Sequence, residues 1–210
     1  MPKCSQSRPG SAARCRRCET PMLESIRTEY SRYRRMVELA LDQVADADLD
    51  RRVPGDDVGN TIAVTVGHLT GNLKSRFTDF LTTDGEKPWR QRDREFESPG
   101  LDRDELLQQW AEAWSTVEAA LDEVAAAGPN AFARVVTIRQ VELTVADALL
   151  RSVAHVAYHT GQIVMMARAF AGERWRTLSI PKGGSAAYAA NPDKEKGPDA
   201  GRRQPPRTPR

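Results

Sequence analysis

No stretch of the 210-residue chain reaches 18 consecutive apolar residues, so the sequence encodes no transmembrane helix. The first 21 residues, MPKCSQSRPGSAARCRRCETP, carry charge but no apolar segment, and a secretory signal is not expected there. Both absences point to the cytoplasm and to no membrane partner. An excess of charge of one sign is missing as well. The 31 Lys and Arg residues stand against 29 Asp and Glu, for a net charge of +2. With a pI near 8.5, the chain lacks the basic character of a nucleic-acid-binding domain, and no recognition motif appears. Its Arg-rich termini would add only a salt-sensitive, sequence-blind affinity, so no specific nucleic-acid partner is expected.

Cysteine is confined to Cys4, Cys15 and Cys18. Cys15 and Cys18 have the C-x-x-C spacing of a zinc knuckle or redox pair, but they follow no strand and have no second pair. Their segment is rich in Ser, Arg, Gly and Pro, so residues 1–21 are expected to be a disordered extension. A translation start at Met22, where the helical pattern begins, is an alternative account of that extension. Beyond residue 18 the chain has no thiol of its own.

What is present is helical periodicity. From Met22 to Leu49, residues Leu23, Ile26, Tyr30, Tyr33, Val37, Leu41 and Val44 recur at spacings of three and four, an amphipathic stripe. Pro54, Gly55 and Gly59 interrupt it, and Asn60 is a candidate N-cap. A second helix over 61–81 places Ile62, Val66, Leu69, Leu73, Phe77 and Phe80 on one face. A polar linker bracketed by Pro88 and Pro99 follows, then a third helix over 101–127 that stops at Gly128-Pro129. Residues 132–144, FARVVTIRQVELT, are rich in β-branched side chains and fit a short ribbon between helices. Thr144 with Asp147 resembles a capping box and opens a fourth helix that ends at Gly172. Four long amphipathic helices make the expected class all-α, a four-helix bundle over residues 22–188. The segment from Arg174 to the domain's end at 188 is expected to dock as an irregular stretch, and 189–210 to be a disordered tail.

Histidine is as scarce as cysteine, with three in the chain, and two of them form a turn-spaced pair in HVAYHTGQ. On the fourth helix Ala148, Ser152, His155, His159, Ile163, Met166 and Phe170 share one face. His155 and His159 therefore point inward, with room beside the small Ala148 and Ser152. His68 sits at the edge of the second helix's apolar stripe, and two neighbouring helices can bring three imidazoles to one point. Core histidines satisfied by ordinary hydrogen bonds are the plain alternative. Three neutral nitrogen donors with no carboxylate suit zinc or nickel and leave a coordination position open. The Glu of a H-E-x-x-H protease is absent, since Val156, Ala157 and Tyr158 fill the interval.

GHLTGNLKSRFTDFL on the second helix, HVAYHTGQIVMMAR on the fourth and the later TLSIPKGGS resemble the DinB-like (DinB/YfiT) superfamily. Within it the chain is most similar to a branch described as a domain of unknown function. The resemblance covers about residues 22–188. It implies an up-down-down-up four-helix bundle, often a homodimer, with a divalent metal held by three histidines. Carried over by motif position, those ligands are His68, His155 and His159. The superfamily includes transferases and an isomerase that use low-molecular-weight thiols, and members named for DNA-damage induction without assigned chemistry.

Helpers around such a site can be named. Asn72 lies one turn from His68, Arg76 continues the same row, and Gln162 is three residues past His159. Lys182, in SIPKGGS, is a cation that a docked segment would bring towards an anionic ligand. Arg76 and Lys182 are otherwise solvated cations, and Asn72 and Gln162 otherwise fix helix packing. Trp110 and Trp114 belong to a dimer seam or to the core. Three functions remain open: a metal-dependent enzyme joining a small-molecule thiol to an electrophile, a non-catalytic metal-binding stress protein, and a metal-free helical interaction module.

Overall fold

The computed structural model of the protein describes residues 20–192. The C-x-x-C pair, most of the expected N-terminal extension and nearly all of the expected C-terminal tail lie outside those residues. The described chain is mostly helical, and four long helices enclose one core. They are α1 (Pro21–Leu41), α3 (Ile62–Phe77), α4 (Arg103–Ala126) and α5 (Val145–Ala171). Short helices α2 (Asp46–Leu49) and α6 (Ser185–Ala190) and an antiparallel pair of strands, β1 (Val135–Ile138) and β2 (Val141–Thr144), complete it. No helix among the described residues is long and apolar enough to cross a membrane.

The helix ends show what the sequence pattern resolves and what it does not. α1 begins at Pro21, where a missing N–H costs nothing, and Thr20 Oγ1 accepts from the Leu23 N–H at 3.4 Å. The helix and its cap thus include two residues before Met22. The expected run to Leu49 instead breaks after Leu41. Arg103, from α4, donates to the carbonyls of Leu41 (2.9 Å) and Val44 (2.8 Å) and pairs with Asp46. A cation there satisfies orphan carbonyls at the helix's negative end. α3 is capped by Thr61 rather than Asn60: its hydroxyl accepts from the Val64 N–H at 3.2 Å and donates to Asp50 at 3.0 Å. α3 stops at Phe77, four residues short of the expected end, where Thr78 turns extended and Asp79 takes φ 48°.

The ribbon expected at 132–144 is a two-residue hairpin, so the class is mostly helical rather than strictly all-α. Its turn residues, Arg139 and Gln140, both have positive φ (55° and 63°), a conformation that usually selects Asn-Gly. Here the Asp84 carboxylate stabilises the turn by accepting both backbone N–H groups, at 2.8 and 2.7 Å. β2 runs directly into α5, so the hairpin fixes where the histidine-bearing helix begins.

α1 packs against α5 and α3 against α4, while contacts of α3 with α5 and of α1 with α4 close the arrangement. Trp110 and Trp114 are core residues, at 1% and 2% exposure, which removes them from any subunit seam. Trp114 meets Tyr30 edge-on at 5.6 Å between ring centroids, and Tyr30 meets Phe77 at 6.0 Å. Such aromatic pairs add about 0.5–1.5 kcal/mol each beyond the area they bury. After α5, Trp175 and Leu178 pack on the core, and Gln43 takes both backbone groups of Arg176, at 2.7 and 3.1 Å. The docked segment is not wholly irregular, because residues 185–190 form α6.

Thr144 Oγ1 accepts from the Asp147 N–H at 3.0 Å and donates to Asp147 Oδ2 at 2.6 Å. The reciprocal backbone bond of a capping box is absent, so the cap rests on Thr144 alone. Thr144→Ala is expected to lower unfolding free energy by about 1 kcal/mol, the usual worth of an N-cap. Thr116→Ala, on the exposed face of α4, should change it by a few tenths at most. Urea denaturation of the two variants beside the wild type measures the difference.

Candidate metal centre

The contact between α3 and α5 brings the three histidines together. His68 is buried on α3, His159 is 9% exposed on α5, and His155, one turn before His159, is half-buried. His155 Nε2 lies 3.2 Å from His159 Nε2 and 3.4 Å from His68 Nε2. All three candidate ligand atoms fall within 4.8 Å of one another, the one such group among the described residues. Imidazole nitrogens bound at about 2.0–2.1 Å in a tetrahedral shell stand about 3.3–3.4 Å apart. The two short separations match that spacing, and the group could hold a metal ion.

The far side of two rings decides which nitrogen faces inward. His68 Nδ1–H donates to Glu95 Oε2 at 2.8 Å, and His159 Nδ1–H donates to Gln162 Oε1 at 2.7 Å. Both bonds place the hydrogen on Nδ1 and leave the Nε2 lone pair pointing at the shared centre. Gln162, expected as a helper, therefore orients His159. Glu95 was not evident from the sequence. It lies 27 residues from His68, on a 3-10 helix (Arg92–Phe96) that packs along α3, so no periodicity connects them. Arg90, 2% exposed, grips both Glu95 oxygens at 2.7 Å, and Phe96 stacks on the His68 ring at 5.0 Å. Gly71 makes this approach feasible. A Cβ there would stand 2.3 Å from Glu95 Oε1. That glycine, one turn from His68 in GHLTGNL, was the one local signal that something lies close against this face.

Electrostatics favour neutral rings at His155 and His159. Burial pushes the His155 pKa down from its ordinary 6.5 to about 4, aided by His159, His68, Arg90 and Arg76. His159 is lowered by burial and by His68, against the Gln162 hydrogen bond. Neutral imidazole is the form that ligates a metal, so little proton release would be needed near pH 7. Burial works to raise the Glu95 pKa, but the hydrogen bonds and charges of Arg90 and His68 outweigh it and hold the carboxyl ionised. His155 Nδ1 is buried and has no hydrogen-bond partner.

His68 and His155 open onto a cavity of about 210 Å³, while His159 stands behind them. Asn72 and Arg76 line this cavity from α3, and Ala148, Arg151 and Ser152 line it from α5. The small side chains at 148 and 152 do leave the space that their sizes implied. Arg76 is not a solvated cation. It pairs with Glu86 at 2.9 Å and donates to the Gly85 carbonyl, and burial lowers its pKa against the pull of Glu86. Lys182 is exposed and does not line the cavity, so the structure does not bring it to the site. Arg90 and Arg92 from the linker, Ile138 and Arg139 from the hairpin, and Phe77 and Phe80 complete the wall.

A histidine whose folded-state pKa lies below its unfolded value makes the unfolded chain the better proton binder between the two. The contribution is fully present above about pH 6.5 and is lost as pH falls towards about 4. Metal-free protein should therefore have a urea midpoint flat from pH 8 to about 6.5 and falling below it. His155→Gln should fall less over pH 6.5–4.5, above the range where Glu86 and Glu95 also protonate. An equal fall in both proteins would remove His155 as the cause.

No curated protein matches the chain, and no solved structure does. A family model described as a protein of unknown function (DUF1572) matches residues 17–184. That span covers the long helices and all three histidines, and the chain belongs to the DUF1572 family.

Proposed function

We propose that this is a DinB-like divalent-metal protein, an up-down-down-up four-helix bundle acting in the cytoplasm. Its proposed activity is transfer or isomerisation with a low-molecular-weight thiol. The observation that carries this reading is the convergence of three imidazole Nε2 atoms, two with their lone pairs aimed inward by Glu95 and Gln162, beside a cavity. Three neutral nitrogen donors favour zinc or nickel over magnesium or calcium, which prefer oxygen. An ion held there would supply Lewis acidity at its remaining position, lowering the pKa of a thiol or water.

The chain's own residues do the rest. Glu95, fixed by buried Arg90, and Gln162 hold the rings against rotation. Phe96 covers the His68 ring and limits water on that side. Asn72 offers an amide to an oxygen of a bound reactant in the cavity. No cysteine is among the described residues, so the thiol arrives with a substrate. A metal that served only to stabilise the bundle would need no adjoining cavity, and the position of His68 and His155 on the cavity wall favours a ligand-binding role.

Cobalt(II)-loaded protein provides the test. Adding cysteine or 2-mercaptoethanol should produce a near-ultraviolet thiolate-to-cobalt band and a thiol-dependent loss of 1-chloro-2,4-dinitrobenzene. His155→Ala should reduce both by about 100-fold or more, beyond the range typical for losing an outer partner of a ligand. Bound cobalt with no thiol-dependent band would contradict the thiol chemistry.

A further inference from the structure

Five arginines line the cavity beside the histidines, and no Asp or Glu does. Carboxylates behind the wall offset three of them. Glu86 takes Arg76 at 2.9 Å and Arg139 at 3.1 Å, and Glu95 takes Arg90 through both oxygens. Even so, Arg90 Nη1 is buried without a hydrogen-bond partner, 3.9 Å from the nearest Glu86 oxygen. Arg92 and Arg151 remain. The nearest carboxylate to Arg92 is that of Asp93, 3.6 Å away and fully exposed, and its guanidinium lies over the Phe96 ring at 5.0 Å. Arg151 makes no ion pair among the described residues. It sits one turn before His155 on the same face of α5, so its head group can reach the cavity mouth.

Like charges crowded around a concave surface repel one another, and the low-dielectric wall keeps that repulsion from being fully screened. An anion in the cavity relieves it. Guanidinium groups are suited to this, because their forked donors match carboxylate and phosphate oxygens. The size of the space narrows the class. At about 210 Å³ it is below the roughly 300–1,000 Å³ of pockets that enclose drug-sized ligands. An acid of a few carbon atoms fits, and a peptide-sized ligand does not.

We infer that this cavity binds a small acid, carrying a carboxylate or phosphate group, with Arg151 and Arg92 as its principal contacts and the histidine cluster at its inner end. The acid is then the electrophilic reactant rather than the thiol. That role rests on the proposed function, whereas binding of the anion does not.

Calorimetric titration of the full-length, metal-loaded protein tests the inference with succinate, inorganic phosphate and the uncharged isostere succinamide. Succinate or phosphate should bind and succinamide should not, and the better of the two identifies the acid group. Arg151→Gln should weaken binding about tenfold or more, the scale for a lost charge-assisted hydrogen bond. Its metal content and melting temperature should be unchanged. Arg174→Gln, exposed and outside the cavity, should keep wild-type affinity. Equal response to succinamide, no binding of either anion, or Arg151→Gln matching the wild type would overturn the inference. Repeating the titration after chelation separates the two claims. Anion binding by a chain that takes up no metal would sink the metal reading alone, and metal uptake without anion binding would sink this one alone.

Discussion

Three ring nitrogens sharing one small space is the constraint around which the rest of this molecule is arranged. Lone pairs at 3.2–3.4 Å repel one another unless a proton or a cation lies between them. Glu95 and Gln162 hold the hydrogens of His68 and His159 on the outer nitrogens, which removes the simplest escape. His155 could donate from Nε2 to only one neighbour, and its Nδ1 has no partner in any case. Burial favours the neutral form of His155 and His159 instead of letting a proton settle on them. A leftover buried polar group costs about 1–3 kcal/mol, so the arrangement is unfavourable as a mere core and suited to a bound cation.

Much of the fold serves to hold that arrangement. β2 leads directly into α5, and Thr144 caps it, so the hairpin sets the height of His155 and His159. The hairpin turn is itself held by Asp84, in the loop after α3, the helix that carries His68. The linker between α3 and α4 lies along α3, where Gly71 lets Glu95 approach and buried Arg90 fixes it. The connecting segment therefore supplies Glu95, which orients His68, while α5 itself supplies Gln162, which orients His159.

The sequence reveals the groups on the helices, Gln162 included, and not those in the linker. Periodicity, a local property, identifies most buried positions on α1 but only about half of those on α3 and α5, whose buried faces are wider than one stripe. The same repeat places His155 and His159 on the inner face, and Thr144 and Gly172 bound their helix. What it misses depends on chain segments far apart in sequence. At the end of α1, Arg103, about 60 residues later, donates to the last carbonyl, that of Leu41, and to that of Val44 just beyond it. Glu95 and Arg90 sit in a charged linker whose composition looks like ordinary solvated loop, and only the folded path of that linker brings them to His68. Lys182 shows the converse. A cation near a family-like motif looked useful in the sequence, and the structure leaves it exposed and away from the cavity.

The central claim, that the three histidines hold a metal, is tested most directly by metal content. Inductively coupled plasma mass spectrometry would compare wild-type protein, purified without chelators, with His155→Ala and His159→Ala. About one divalent ion per chain is expected in the wild type and background levels in both variants. Background levels in the wild type after reconstitution with zinc and nickel would contradict it, and leave three polar histidines in a helical core.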